Sequence, residues 1–325
     1  GIGGWGVLLR YGGVEKSLIG HAARCHAEVE ICSATVEGPR HRYGWGDCYA
    51  RVQRLACALQ TLGVEPGDRI ATLAWNGYRH LELYYGVSGM GAICHTINPR
   101  LFSEQIAYIV NHAADRFVFV DLTFVPLLED MIEKIAGVEG FIIMTDQAHM
   151  PETTLPNALC YETLLADEEP AYEWPDLDEH TASALCYTSG TTGNPKGTLY
   201  SHRSTVLHAL GILIASFNLR GDDVVLPVVP MFHVQSWGIP HAAPLVGAKL
   251  VFNGPHFDGE TLQKLFAEER VTVSPGVPTI WLGRLDYLRS SGQRIASLRM
   301  LIRRAAAPPL SMIEAFETDY DVPLP

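Results

Sequence analysis

The sequence is short of the features that mark several large classes of protein. Cysteine is sparse: seven residues (25, 32, 48, 57, 94, 160 and 186) stand at irregular spacings with no CxxC pair, and an odd number leaves at least one thiol unpaired. That pattern argues against a disulfide-stapled scaffold and favours a reducing, cytoplasmic compartment. Positive charge is scarce too, with 24 Lys+Arg against 36 Asp+Glu, and no basic block occurs, which disfavours a nucleic-acid groove. The longest stretch free of Asp, Glu, Lys and Arg, from Val224 to Ala248, is long enough to cross a bilayer. Pro227, Pro230, Pro240 and Pro244 break it, and His233, Gln235 and His241 would be costly in lipid, so a buried strand, loop and helix is expected there. There is no internal repeat and no low-complexity tract. No charged-then-apolar leader opens the chain, and its first residues, GIGGWGVLL, lack an initiator Met, as at a processed or engineered end.

What is present is a chain of 325 residues with 47% hydrophobic content, enough for one large domain or two ordinary ones around a substantial core. Helical and strand periods alternate along it. DCYARVQRLACALQTLG (47–63) carries apolar residues at helical spacing and stops at Gly63; the turn VEPGD and the strand-like RIATLAW follow. A helix over 78–90, the strand AICHTI, a helix N-capped by Ser103, then RFVFVD, a helix over about 124–135 and FIIMT repeat the unit. Residues 146–180, rich in Pro, Asp, Glu and Thr, read as a surface connection. A second series runs SALCYT, a glycine-rich loop, a helix over about 201–217, DVVLPVV, a further helix and KLVF. It continues with a helix near 259–269, TVSPGV, the helix PTIWLGRLDYL, RMLI and a helix near 309–318. Strands separated by helices predict an α/β fold of mostly parallel sheets with helices on both faces.

The loop of the second series lies in CYTSGTTGNPKGTL (186–199). A strand that runs through glycine-rich residues into a helix points several backbone N–H groups at an anion. Gly190, Gly193 and Gly197 permit positive φ and close approach, Thr188, Ser189, Thr191 and Thr192 add hydroxyls, and Lys196 supplies charge, so the loop reads as a phosphate cradle. It is not a Walker A loop, because Lys196 lies between Pro195 and Gly197 and the Gly-Lys-Ser/Thr ending is absent. A solvated Gly/Ser/Thr linker is the plain alternative, less suited to a place between a β-forming strand and an amphipathic helix.

YTSGTTGNPKG (187–197) closely resembles the signature loop of the adenylate-forming superfamily: acyl-CoA synthetases, luciferases and peptide-synthetase adenylation domains. The blocks 73–101, 200–210, 228–251 and 276–281 resemble bacterial medium- and long-chain fatty acyl-CoA ligases and methylmercaptopropionyl-CoA ligases, so the resemblance covers nearly the whole chain. It implies that residues 1–325 form the large N-terminal domain of that fold, with two intertwined α/β subdomains. It also implies ATP, Mg²⁺ and CoA: a carboxylate attacks the α-phosphorus to give acyl-AMP and pyrophosphate, and the CoA thiol then displaces AMP. On this resemblance Thr188, Ser189, Gly190, Thr191, Thr192, Gly193 and Lys196 hold the β- and γ-phosphates, with Thr191 beside the Mg²⁺. Long-chain members are often dimers, so a homodimer is among the partners implied.

PMFHVQSW bears on the substrate class. Amino-acid-activating relatives place an Asp after this Phe, whereas His233 follows Phe232 here, as in acyl-CoA and aryl ligases. By resemblance His233 lies where carboxylate and ATP meet and stabilises negative charge; a histidine satisfied in the core is the alternative. Trp237, on the same face as His233 if the segment is helical, resembles the gate tryptophan of long-chain ligases, although a large buried aromatic needs no function. Gly276, Val277, Pro278 and Thr279 line the acyl tunnel by resemblance and fit equally well a strand-to-helix turn with Pro278 in its first turn. His95, Asn98 and Arg100 also recur in the family segment and read as a polar turn after a strand. An apolar tunnel suits an aliphatic acid, at about 0.8 kcal/mol for each buried CH₂. The expectation is a medium- or long-chain fatty acid–CoA ligase. A short-chain or methylmercaptopropionate ligase and a non-catalytic acyl- or nucleotide-binding derivative are the alternatives.

Two departures from the family pattern stand out. After RMLI the family shows small residues, Gly-Gly-Ser/Ala-Ala, where this chain has Arg303, Arg304 and Ala305 to Ala307; a guanidinium at 304 could fill the pocket or pair with a phosphate. The sequence also stops at Pro325, before the family's Gly-Met-Thr-Glu segment, hinge and C-terminal lid domain with its second catalytic lysine. A truncated domain that binds ATP weakly and does not complete thioester formation alone is therefore expected.

Overall fold

A computed structural model describes residues 13–188, 193–303 and 309–324. The described residues open with α1 (Lys16–Cys25), β1 (Glu30–Ser33), β2 (His41–Gly44), α2 (Trp45–Thr61) and β3 (Arg69–Leu73). Next come α3 (Tyr78–Gly89), β4 (Ile93–Thr96), α4 (Ser103–Ala113), β5 (Phe117–Val120), α5 (Val125–Asp130), β6 (Gly140–Ile143), β7 (Ala158–Cys160) and α6 (Tyr161–Ala166). The second half contains β8 (Ala182–Thr188), β9 (Lys196–Ser201), α7 (His202–Gly211), β10 (Val224–Val225), α8 (Ile239–Val246) and β11 (Lys249–Phe252). It closes with α9 (Gly259–Glu269), β12 (Val273–Gly276), α10 (Pro278–Ser291), β13 (Met300–Arg303) and α11 (Leu310–Tyr320).

The described strands form two sheets, ordered β7-β6-β5-β3-β4-β8-β9 and β13-β12-β10-β11-β1-β2. Every pairing is parallel except β8 with β9 and β1 with β2. The first two strands join the last four in one sheet while the middle of the chain builds the other, so the two sheets interleave in sequence.

Parallel strands covered on both faces read as unbroken apolar runs, and alternate residues go to different cores. Phe117 and Phe119 face the space between the sheets, where Ile31, Val225 and Leu250 of the other sheet also pack. Val118 and Val120 face outward onto Ile106, Ile109 and Val110 of α4. The other sheet does the same with Leu226, Val251 and Leu301 against α9 and α10. Helix α3 lies between the sheets and all of its 12 residues are buried.

The structure corrects three sequence expectations. Residues 146–180 are more than a surface connection: β7 adds an edge strand, and Tyr161 of α6 is fully buried, its hydroxyl donating to Glu82 Oε2 at 2.6 Å. Ser103 is the first helical residue of α4, and Phe102 stands at the cap with its N–H bonded to Gln105 Oε1 at 3.1 Å. The glycine-rich loop runs into strand β9 before it reaches a helix, because Thr198, Leu199 and Tyr200 favour an extended backbone and pair with β8. Among the described residues no helix is long and apolar enough to cross a membrane.

Candidate functional site

Thr188 ends β8, Lys196 begins β9, and the two are direct cross-strand partners. Thr188 Oγ1 donates a long hydrogen bond, 3.5 Å, to the Lys196 carbonyl. Both side chains are exposed, and Pro195 is buried. Ser189, Gly190, Thr191 and Thr192 lie outside the described residues, so the expected phosphate and metal contacts at those positions have no structural account. Gly193 has φ +98, with open space where a Cβ would stand; only the backbone conformation demands glycine there. The hairpin changes the anion argument. The N-terminus of α7 is separated from the loop by the six residues of β9, and Ser201 Oγ already accepts from the Ser204 N–H at 3.1 Å. Helix α7 therefore brings no free terminus to the loop.

The segment that carries His233 leaves β10 and crosses from one sheet to the other. It continues the ladder of its own sheet first, with the Leu226 N–H on the Val273 carbonyl (3.1 Å) and the Val228 N–H on the Pro275 carbonyl (2.9 Å). Beyond that, Asn76 takes over: Nδ2 donates to the carbonyls of Pro227 and Val229, each at 3.0 Å, and Oδ1 accepts from the Met231 N–H at 2.6 Å. The hydroxyl of Tyr84, on α3, donates to the Met231 carbonyl. Thr96, the last residue of β4, donates to the Phe232 carbonyl at 3.3 Å, and its Oγ1 lies 3.2 Å from Cys186 Sγ on β8. Cys186 is two residues before Thr188. The peptide that precedes His233 is thus fixed at the carboxyl ends of β4 and β8, beside the stem of the glycine-rich hairpin. That is where open parallel sheets place their ligands. His233 itself is exposed, so it is not a core histidine.

The four-residue spacing between His233 and Trp237 does not put them on one helical face. Gln235, Ser236 and Trp237 have φ of 48, 51 and 54, and Gly238 follows at φ 79, which makes a left-handed turn. Such residues are uncommon outside glycine and cost about 1–2 kcal/mol each. Ser236 Oγ donates to the Val229 carbonyl at 2.9 Å and helps to hold the turn. A Cβ at Gly238 would come within 2.6 Å of His208 Nδ1. Trp237, within this turn, is buried.

Gly276 ends β12 opposite Arg303 of β13. A Cβ there would lie 2.4 Å from Cζ2 of Trp281, one turn into the following helix, so glycine at this position makes room for the indole. Val277 stands at the cap of α10, Pro278 is the first helical residue, and Thr279 is exposed. Arg303 Nε donates to the Leu324 carbonyl at 3.4 Å, and Arg304 lies outside the described residues.

Of the three residues expected in a polar turn after a strand, Asn98 and Arg100 follow β4, whereas His95 lies within it, paired with Leu185 of β8. His95 is fully buried with Nδ1 at 2.7 Å from Asp115 Oδ2, and Asn98 Oδ1 accepts from the Arg100 N–H at 2.9 Å. Burial pushes the Asp115 carboxyl up while His95 and Arg69 pull it down, with a net rise. Arg100 also reaches the site, its guanidinium 5.9 Å from the Phe232 ring centroid and 5.6 Å from that of Phe257.

Two buried carboxylates flank this region. Burial pushes the Glu15 carboxyl up, but the charge and hydrogen bond of His241, with the charge of His202, outweigh it and hold it down at about 2. The ring of His241 stacks on Tyr84 at 5.7 Å. Asp121, which follows β5, accepts from the Trp75 N–H at 2.7 Å, and burial pushes its carboxyl up to about 7.

Asn76, Tyr84 and Thr96 were not singled out in the sequence. An Asn just past a strand was the one available signal, and nothing local said that its amide would meet a segment about 150 residues away. Among the described residues no group of three or more His, Cys, Asp or Glu is arranged to hold a metal.

Known proteins resemble this chain in sequence and in fold. A family model described as AMP-binding enzyme matches residues 21–324. A medium-chain-fatty-acid–CoA ligase of Ectopseudomonas oleovorans is 46% identical over 318 residues, which is 98% of this chain and 58% of that protein. A 3-methylmercaptopropionyl-CoA ligase of Ruegeria pomeroyi is 48% identical over 308 residues, 94% of this chain and 57% of that one. The chain therefore spans rather more than half the length of these relatives. The crystal structure of the anthranilate CoA ligase AuaEII with anthranoyl-AMP superposes with a TM-score of 0.87 at 20% identity, over 96% of this chain and 58% of that one, a likeness of fold.

Proposed function

The chain belongs to the AMP-binding enzyme family, and from that premise we propose that the full-length protein joins a fatty acid to CoA through an acyl-adenylate. The observation that carries the proposal is the junction built by Thr96. That residue ties the His233 segment to β8 two residues before the glycine-rich loop, which supports a reading in which the loop and the exposed imidazole serve one site.

In this reading Thr188, Ser189, Gly190, Thr191, Thr192, Gly193 and Lys196 hold the β- and γ-phosphates of ATP. A carboxylate oxygen attacks the α-phosphorus, the bond to the bridging oxygen breaks, and pyrophosphate leaves with its charge neutralised by Lys196. His233 steadies the negative carboxylate as it approaches. Mg²⁺ arrives with ATP, bound chiefly by phosphate oxygens and water, so a protein cage is not required; Thr191 is the proposed neighbour. The CoA thiol then attacks the acyl carbon and AMP leaves. We assign that second step to the part of full-length relatives that this chain does not span.

Trp237 is proposed to close the acyl tunnel and residues 276–279 to line it. Val277 and Pro278 are half-buried, which suits lining, whereas Gly276 packs on Trp281 and supports the turn reading. A medium- or long-chain acid is our first reading. The second, a short acid such as methylmercaptopropionate, is favoured by the 48% identity of the Ruegeria protein. We further propose a reducing, cytoplasmic location, from the sparse and irregularly spaced cysteines of the sequence.

The test is ATP-dependent pyrophosphate release by the full-length protein over a series of acids from four to sixteen carbons. Activity that rises by several-fold per added CH₂ supports the fatty acid, and a maximum at four carbons supports the short one. Lys196→Ala and His233→Ala should each lose at least about 100-fold. Full activity in both variants would remove these roles, and acyl or nucleotide binding without any pyrophosphate release would instead indicate a non-catalytic derivative.

A further inference from the structure

The segment between β10 and His233 is irregular yet deeply buried, with Leu226, Val228, Val229, Met231 and Phe232 each at most 5% exposed. A buried strand-like segment must place its backbone groups on partners, and beyond Val228 its ladder to β12 stops among the described residues. Asn76 replaces that strand. Its amide serves the carbonyls of 227 and 229 and the N–H of 231, three alternate residues on one side of the segment. Asn76 is itself held, since it is 2% exposed and its own carbonyl accepts from the Gly254 N–H at 3.1 Å. Tyr84 adds the bond to the Met231 carbonyl, with its ring edged by His80 at 5.1 Å and stacked on His241.

We infer that Asn76 and Tyr84 are positioning residues that set the place of the His233 imidazole through the peptides of 227–231, an inference that rests on His233 steadying the reacting carboxylate. The chemistry at 76 is specific. An aspartate has no donor for the two carbonyls, an alanine has neither donor nor acceptor, and a glutamine carries the amide one methylene too far. At 84 the phenol matters for one bond, so Tyr84→Phe removes the tether and leaves the ring on His241.

The experiment compares Asn76→Ala and Tyr84→Phe with wild type in the full-length protein, each alone and combined with His233→Ala. The readouts are kcat and KM of pyrophosphate release together with the thermal midpoint. Tyr84→Phe should lower kcat about tenfold and Asn76→Ala about 100-fold, with KM for ATP within about twofold, because a misplaced group near 1 Å from its proper position costs about that much. In the His233→Ala background each should add less than about twofold, since residues that act through one group are not additive. A merely structural role gives equal losses in both backgrounds, and that result, or single variants with unchanged kcat, overturns the inference. Should Asn76→Ala fail to fold, Tyr84→Phe, which loses one oxygen atom, carries the same comparison. Full activity in His233→Ala alone would instead strike the reading beneath the inference, and the inference would fall with it.

Discussion

Thr188 and Lys196 face each other across the last rung of an antiparallel stem, and the backbone between them must turn through Gly193 at φ +98. A side chain at 193 meets open space, so a substitution there costs backbone strain alone, about 1–3 kcal/mol. Gly193→Ala should raise the KM for ATP several-fold and lower the global unfolding midpoint by about 1–5 °C. An unchanged KM would show that the turn at 193 does not shape the nucleotide site.

Glu82 is fully buried on α3, with Arg51 Nε at 2.7 Å, Tyr161 OH at 2.6 Å and Tyr43 OH at 3.0 Å. Removing one member of such a group strands the others. Glu82→Ala should cost about 3–5 kcal/mol in urea unfolding, and Glu82→Gln less, because its amide oxygen still accepts from a tyrosine. A midpoint that does not move in Glu82→Ala would contradict this account of the core.

Asp121 gives a pH dependence with a definite sign. Its carboxyl titrates near 7 in the folded chain and near 4 when unfolded, so between those values the native state binds the extra proton. The group's contribution to stability is therefore greatest below pH 4 and falls as pH rises toward 7. Asp121→Asn keeps the acceptor for the Trp75 N–H and removes the titration. Its unfolding midpoint should exceed that of wild type at pH 8, and the difference should shrink toward zero near pH 4. A difference independent of pH would refute the assignment.

Gly276 separates a packing role from a tunnel role. With Trp281 at 2.4 Å from a Cβ, Gly276→Ala should cost about 1–3 kcal/mol by overpacking, with no change in the acid length preferred in pyrophosphate release. A shift toward shorter acids at unchanged stability would favour the tunnel instead.

Local sequence determined a good deal of this protein. The apolar runs RIATL, FVFV and KLVF are strands because β-branched and aromatic residues suit a pleat buried on both faces, and α9 begins at Gly259, where the period predicts it. The glycine-rich loop was legible in the same way, since glycines and hydroxyls between a strand and the next element carry their own conformational signal. Tertiary structure decided the rest. It placed β9 between that loop and α7, turned Gln235 to Trp237 left-handed against their preference, and set Asn76 on the carbonyls of Pro227 and Val229. Each of these depends on partners brought together by strand order or on strain borne by surrounding contacts, and neither quantity is encoded in the residues next door.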